Sequence, residues 1–419
     1  MNLVKDLPDI EINGQVLYSS NVFQDAIEHF AWFHDFKVKT NECSIEDVKL
    51  NPTEKYYFIH FISFFNWHFL IKLYSSENKF SDKIKELLKH DNFRLIILDV
   101  HESQPHHEID KLFNCFDDSK KIIFINNDYS LKNKKIKTIK SNFLAKNSIG
   151  GYMKIYRNNF FKNLDYYDIY KINNLYKVRV KISEENCNLD KRDFMFLCKN
   201  KQRKPHRWFT ICLLEKYGLL DKTNYSFLME PHDMEHHNFR KENFTDFKNI
   251  ENKLKKEIVF PKYTKYEKTF NFEKLMNSNY NFAGELKFED YKNSYINITT
   301  ESIYFEEMIH VTEKSFKPFF LFQLPLFVAS KGHVDALRKK LNLDLFDDFI
   351  NHDYDKEENH TNRLKMIIEE CYRLSKLEKE IIEFFNSNKN RFENNIKLLE
   401  DWKMNSSDEN DTIEYILKF

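Results

Sequence analysis

Four short, unbroken apolar runs restrict this chain more than any other feature. They are "YYFIHFI" (56–62), "FRLIILDV" (93–100), "KKIIFINND" (120–128) and "KRDFMFLCKN" (191–200). A half-solvated strand alternates apolar and polar residues, whereas a strand covered on both faces does not. Helical spacing fills the gaps. "SDKIKELLKH" (81–90) places Ile84, Leu87 and Leu88 together, and "RWFTICLLEKYGLL" (207–220) groups Phe209, Leu213, Leu214 and Tyr217 ahead of Gly218, a helix stop. "YINITTES" (295–302) reads as another strand and "HVDALRKKLN" (333–342) as another helix. Strands feeding helices in this way predict an α/β fold with parallel sheets.

A chain of 419 residues exceeds what one hydrophobic core usually serves, so two α/β domains are expected. The boundary is expected between about 165 and 190. This gives an N-terminal unit over 1–175, a C-terminal unit over 190–375 and an amphipathic helical tail over 376–419. The charged stretch 232–270 is expected to be a mobile insertion.

The composition excludes several classes. Sixty-five basic residues against 65 acidic ones leave no net charge, so the chain lacks the positive field of a general nucleic-acid binder. The six cysteines form no C-x-x-C pair, which suits free thiols in a reducing, cytoplasmic setting. The start, "MNLVKDLPDIEING", has no signal-peptide core, and the most apolar run, "YYFIHFISFFNWHFLIKLY", carries His60, Asn66 and His68, costly at bilayer depth. The amphipathic tail leaves peripheral membrane contact open. The six glycines spell neither G-x-G-x-x-G nor G-x-x-x-x-G-K-[ST], so any phosphate is held without a glycine-rich loop.

Two segments carry charge where open α/β sheets bind ligands, beyond the carboxyl ends of strands. After Asn200 come Lys201, Arg203, Lys204, His206 and Arg207, with Arg207 opening a helix where its guanidinium can bind phosphate oxygens. In "VTEKSFKPFFLFQLPLFVASKG" (311–332), Thr312 is a natural N-cap followed by Glu313, and Lys314 adds a full positive charge. A plain capped helix entering the core explains this tetrad as well as a diphosphate site does. Pro318 shortens or kinks that helix.

"FLCKN…R…RWF…LEKYGLLD" followed by "TTES…VTEKS…PLFVASKG" resembles the donor-binding domain of the fucosyltransferase family related to bacterial α-1,3-fucosyltransferases, over roughly residues 190–335. The resemblance implies a GT-B architecture, two Rossmann-like domains facing a cleft, and a nucleotide sugar held by the second. It implies Arg207 and Lys314 on the diphosphate, with Asn200, Arg203 and Thr312 beside them, and Glu301 and Glu313 on the sugar or ribose. Ser302 stands where the family has Asn, and "FQL" replaces its small residues before the Pro-Val strand. Sugar and base therefore stay open, GDP-linked fucose being one option.

Transfer to a hydroxyl with inversion requires a general base. The resemblance places it after a first-domain strand, which here is "LIILDVHESQP". Glu102 is the first choice and His101 the second, with Asp99 read as a turn acid. No cofactor or metal is expected. "HESQPHHE" and "HDMEHH" are the residue types of metal ligands but read as solvated loops, and Asp353-x-Asp355 reads as a turn. The aromatic run "FISFFNWHFL" reads as core before sugar platform. The expected partners are a nucleotide sugar and a hydroxyl acceptor, carbohydrate or other. The alternatives are a nucleic-acid-binding or DNA-modifying protein using the 199–207 loop, and an inactive sugar-nucleotide binder.

Overall fold

The computed structural model describes residues 2–5, 11–12, 15–16, 41–45, 48–61, 67–75, 77, 79–99, 106–117, 119–126, 128–131, 137–140, 192–200, 204–227, 247–258, 291 and 293–404. The chain divides into two compact units, Met1–Leu144 with Ser406–Phe419, and Ala145–Asn405.

The first unit holds a six-stranded sheet, all of it parallel. Its strands are β1 (Asn2–Lys5), β4 (Asn41–Ser44), β5 (Tyr56–Phe61), β6 (Phe93–Asp99), β7 (Ile122–Asn126) and β8 (Lys137–Lys140), in the order β4-β1-β5-β6-β7-β8. A small antiparallel pair joins β2 (Glu11–Ile12) to β3 (Gln15–Val16). The continuous apolar runs are the central strands. Leu95, Ile96, Ile97, Phe124 and Ile125 are fully buried, as covering on both faces requires. Helix α1 (Trp67–Ser75) follows β5 and is followed by α2 (Lys79–Leu87), and α3 (His106–Phe113) follows β6. Helix α2 buries Phe80, Ile84 and Leu87, and α3 buries Ile109, Leu112 and Phe113.

The second unit has a four-stranded parallel sheet in the order β10-β9-β11-β12, made of β9 (Phe194–Asn200), β10 (Thr223–Phe227), β11 (Ser294–Thr300) and β12 (Leu324–Val328). All seven residues of β11 are buried. From β9 the chain passes through α4 (Pro205–Lys216) to β10 on one side, then returns to place β11 on the other. The winding direction thus reverses between β9 and β11, and a crevice at the carboxyl ends of a reversed pair is where open α/β sheets bind ligands. Helix α4 has nine consecutive buried residues, His206 to Leu214, so it is a core helix with no solvent face there. It ends where the glycine reading puts the stop. Gly218, at φ +64°, donates to Glu215 O, and Leu219 donates to Leu214 O, the paired bonds of a Schellman cap.

Two segments read from the sequence as an insertion and a tail carry described helices. Residues 247–257 inside the presumed insertion form α5 (Phe247–Glu257), docked on α4 by Trp208 Nε1 donating to Glu251 (3.0 Å) and by the Lys253–Glu215 ion pair. Helices α9 (Glu378–Ser387) and α10 (Lys389–Met404), after α8 (His360–Leu374), belong to the second unit. Phe392 stacks on Phe385 and Phe322 and packs on Phe346 at 4.5 Å, while Arg391 grips Asp344 and Asp348. Among the described residues no helix is long and apolar enough to cross a membrane.

Candidate active site at the carboxyl edge of the second sheet

Three features of the sequence meet at this edge: the end of β9, the start of α4 and the loop leaving β11. Asn200 closes β9, buried, with Oδ1 accepting from the Thr300 hydroxyl at 2.6 Å and Nδ2 donating to Cys198 Sγ at 3.3 Å. It pins the two strands flanking the reversal. One residue past β11, Glu301 is completely buried. Its Oε2 accepts from the Thr312 hydroxyl (2.7 Å) and the Ser302 N–H (3.2 Å), and its Oε1 accepts from the Ser315 hydroxyl (2.6 Å) and the Thr312 N–H (3.4 Å). An ionised carboxylate offers about four acceptor positions, and the chain itself fills them. Glu301 therefore shapes the Thr312–Ser315 turn from within. The resemblance implies a sugar or ribose contact for Glu301, and these four bonds are what its carboxylate makes within the chain.

The charge on Glu301 is kept by its surroundings. Burial pushes its carboxyl up, but the Lys314 ammonium, His333 and the Ser315 and Thr312 hydroxyls outweigh that and bring it down to about 2. His333 belongs to the same chain of bonds. The Ser315 proton goes to Glu301, so His333 Nε2 donates to Ser315 Oγ at 2.8 Å. Burial, the leading effect, holds the His333 ring below its ordinary range.

The "TEKS" tetrad is a tight 3-10 turn, Glu313–Ser315, followed by the one-turn helix α6 (Lys317–Phe320), as Pro318 led us to expect of a short helix. Thr312 is its N-cap: the hydroxyl accepts from the Lys314 N–H at 3.2 Å and from Lys314 Nζ at 3.2 Å. Lys314 is about one-third exposed and also lies 3.2 Å from the nearly buried Glu313 and 3.5 Å from Ser302 Oγ. Lys204, the residue before α4, donates to the Ser302 carbonyl at 2.8 Å. Two ammonium groups from segments 110 positions apart in sequence thus converge on one residue, Ser302.

Arg207 approaches the same strand end from the interior. It is buried, and its Nη2 donates to the carbonyls of Thr300 (3.4 Å) and Glu301 (3.2 Å). His206 donates Nε2–H to the Glu301 carbonyl at 2.8 Å and stacks on Tyr304. Its ring is held well below the usual imidazole range, by burial first and then by the Arg207 charge, so it is a neutral donor. Lys199 donates to Asn224 on the neighbouring strand at 2.7 Å.

The structure brings Asn200, Arg207, Glu301, Thr312, Glu313 and Lys314 to one edge. Arg203, Glu102 and His101 lie outside the described residues. Sequence reasoning named Lys204 only as one of the basic loop's charges and gave Ser302, Ser315 and His333 no role in the site. Lys204 carried a signal, since a base directly before a helix-opening proline stands at the helix mouth. Asp355 of the Asp-x-Asp stretch is a cap: its two oxygens each accept, at 3.0 Å, from Val334 and Asp335 N–H at the start of α7 (His333–Leu341). Among the described residues, no group of three or more His, Cys, Asp or Glu is placed to hold a metal ion.

No protein-family model matches the chain, and no curated protein matches it. A solved crystal structure of an α1,3-fucosyltransferase with GDP-fucose aligns with 89% of this chain and 76% of its own, at 10% sequence identity and a TM-score of 0.33.

Proposed function

We propose that this protein is a glycosyltransferase of GT-B type that moves a sugar from a nucleoside diphosphate sugar to an acceptor hydroxyl, with inversion and without a metal. The observation that supports this most is the convergence of Lys204 and Lys314 on Ser302, at the carboxyl edge where the sheet reverses direction. When the bond from the sugar carbon to the phosphate oxygen breaks, its electron pair leaves with the diphosphate, and fixed cations stabilise that charge in place of a metal. Lys199, Lys204, Arg207 and Lys314 stand against Glu301 and Glu313, four formal positive charges to two negative. The excess of two suits a nucleoside diphosphate. In this reading Lys314 and Lys204 contact the phosphates, Arg203 joins them, and Arg207 supplies charge from behind the strand end. Asn200 keeps β9 and β11 in register, Thr312 holds Lys314 in place, and Glu313 meets the sugar. The resemblance of the two motif segments supports Lys314 on the phosphates and Glu313 on the sugar.

The test is calorimetric titration with a panel of GDP-, UDP- and ADP-linked sugars, with and without EDTA. One donor should bind equally well in EDTA. Lys314→Ala should weaken it by about 1.5–3 kcal/mol, the usual worth of a charge-assisted contact. A Lys314→Ala protein that binds and transfers like the wild type removes the assignment.

A further inference from the structure

Helix α8 runs from the candidate site to the opposite edge of the second sheet. At its start, Tyr304 in the loop after β11 donates to the His360 carbonyl at 2.6 Å. Past its end, the Ser375 carbonyl accepts from Lys222, the residue before β10, at 3.4 Å. The four strands are parallel, so this end lies at their amino edge. His352 is there too, its Nε2 donating to the carbonyl of Pro325 near the start of β12 at 3.3 Å. Between this segment and the second half of α8 lies a cavity of about 260 Å³, lined by Asn351, Tyr354, Met366, Glu369, Glu370 and Arg373. That is just below the roughly 300–1,000 Å³ of drug-sized pockets, and suits a ligand of one ring.

The charges around the cavity cancel. Glu370 is nearly buried and holds Arg373 through both oxygens, at 2.6 and 2.8 Å, while Glu369 pairs with Lys365 at 3.5 Å. Bonding capacity remains on both sides. Glu370 Oε1 also accepts from the Asn351 N–H at 2.9 Å, which leaves the carboxylate one acceptor position, on Oε2. Arg373 Nη2 donates to Glu370 and to the Phe349 carbonyl, but Nη1 has no partner among the described residues. Asn351 Oδ1 accepts from the Asp353 N–H at 2.8 Å, and its Nδ2 is bonded to none of them. Tyr354 is buried. Its oxygen accepts from the Phe327 N–H at 3.0 Å, and its proton has no acceptor among the described residues. Burial first, with Glu370 among the charges that add to it, pushes ionisation of this hydroxyl well above the ordinary phenol range, so it stays a donor. A buried donor in that position calls for an acceptor.

We infer that this cavity binds a neutral saccharide, one sugar ring deep, at a site separate from the Lys204–Lys314 edge. The inference does not depend on the glycosyltransferase reading. Three donors (Arg373 Nη1, Asn351 Nδ2 and the Tyr354 hydroxyl) and the acceptors on Glu369 and Glu370 face one small space. A hydroxyl both donates and accepts, so a ring bearing several of them meets both sets at once. The Met366 side chain supplies apolar surface for the C–H groups between them. An anion would meet two carboxylates there, and an ammonium would meet the Arg373 guanidinium.

The experiment uses the full chain with 13C-methyl methionine, the Met366 signal being identified from Met366→Leu. Methyl glycosides of glucose, galactose, mannose and fucose are titrated separately, with inorganic phosphate, ethylammonium and GDP as the other probes. At least one methyl glycoside should move the Met366 signal saturably, and the other probes should leave it in place. Glu369→Ala and Asn351→Ala, both at exposed positions, should each weaken that glycoside by about tenfold, which one good hydrogen bond to a charged or amide group accounts for. The remaining methionine signals report that the variants are folded. A Met366 signal moved by no glycoside, a signal moved by phosphate, ethylammonium or GDP instead, or folded variants that bind the glycoside as wild type does would overturn the assignment. None of these results bears on the donor site, which the nucleotide-sugar titration tests separately.

Discussion

Replacing Glu301 with Gln changes one atom in a sealed network, and the structure says what that costs. All four acceptor positions of the carboxylate are occupied, at 2.6–3.4 Å, by the hydroxyls of Thr312 and Ser315 and the N–H groups of Ser302 and Thr312. An amide brings two donors into this set. If its nitrogen takes the Oε1 place, the Thr312 N–H faces another donor. Ser315 must then turn its proton toward His333, which already donates to it. If it takes the Oε2 place, the Thr312 hydroxyl and the Ser302 N–H are disturbed instead. One buried donor left unsatisfied costs about 1–3 kcal/mol, and loss of the charge-assisted bonds adds to it, so about 2–4 kcal/mol is expected at neutral pH. The pH dependence has a definite sign. The folded carboxyl sits at about 2 against an ordinary 4.5, so its contribution is present in full above about 4.5 and is lost as pH falls towards 2. That difference corresponds to about 3 kcal/mol. Urea unfolding from pH 7 to pH 3 should show wild type and Glu301→Gln far apart at pH 7 and converging below pH 4.5. Curves that coincide at pH 7, or a gap that widens in acid, would refute the claim that Glu301 is an ionised, saturated anchor.

The strands were legible because burial on both faces leaves a mark that needs no partner to read. "FRLIILDV" and "KRDFMFLCKN" hold unbroken apolar cores, and β6 ends one residue before the first run does while β9 starts three residues into the second. Gly218 was legible because a single backbone conformation decides a helix end. The direction of the Glu301 side chain was not. Whether an acid after a strand meets a ligand or the chain depends on residues 11 and 14 positions later, which fold back over it only once β12 has taken its place beside β11. The motif resemblance singled out Glu301, Thr312 and Lys314 together, while their division into an inner anchor and an outer cation is a tertiary fact. Asp355 looked like half of a metal motif, since Asp-x-Asp spacing says nothing of the two N–H groups 20 residues earlier that it accepts from. Helices α9 and α10 read as a tail because their apolar stripes do not name the surface they cover.

Asp355→Ala should lower stability by about 0.5–2 kcal/mol in urea, the worth of a helix N-terminal cap, and donor binding should stay insensitive to EDTA. A variant that instead abolished a metal-dependent activity would return Asp355 to a ligand role. Gly218→Ala separates backbone strain from crowding. The residue sits at φ +64°, and a Cβ built there meets nothing within 4 Å, so an added methyl group collides with no neighbour. The cost is conformational only, about 1–2 kcal/mol for an L residue in the left-handed region. Asn tolerates that region better than Ala, so Gly218→Asn should lie between Ala and the wild type. If strain sets the cost, the order of stability is Gly, Asn, Ala, although Asn is the larger side chain. An order that follows side-chain size, with Asn the least stable, would mean that the space beyond α4 is filled and that the Schellman cap does not account for the glycine.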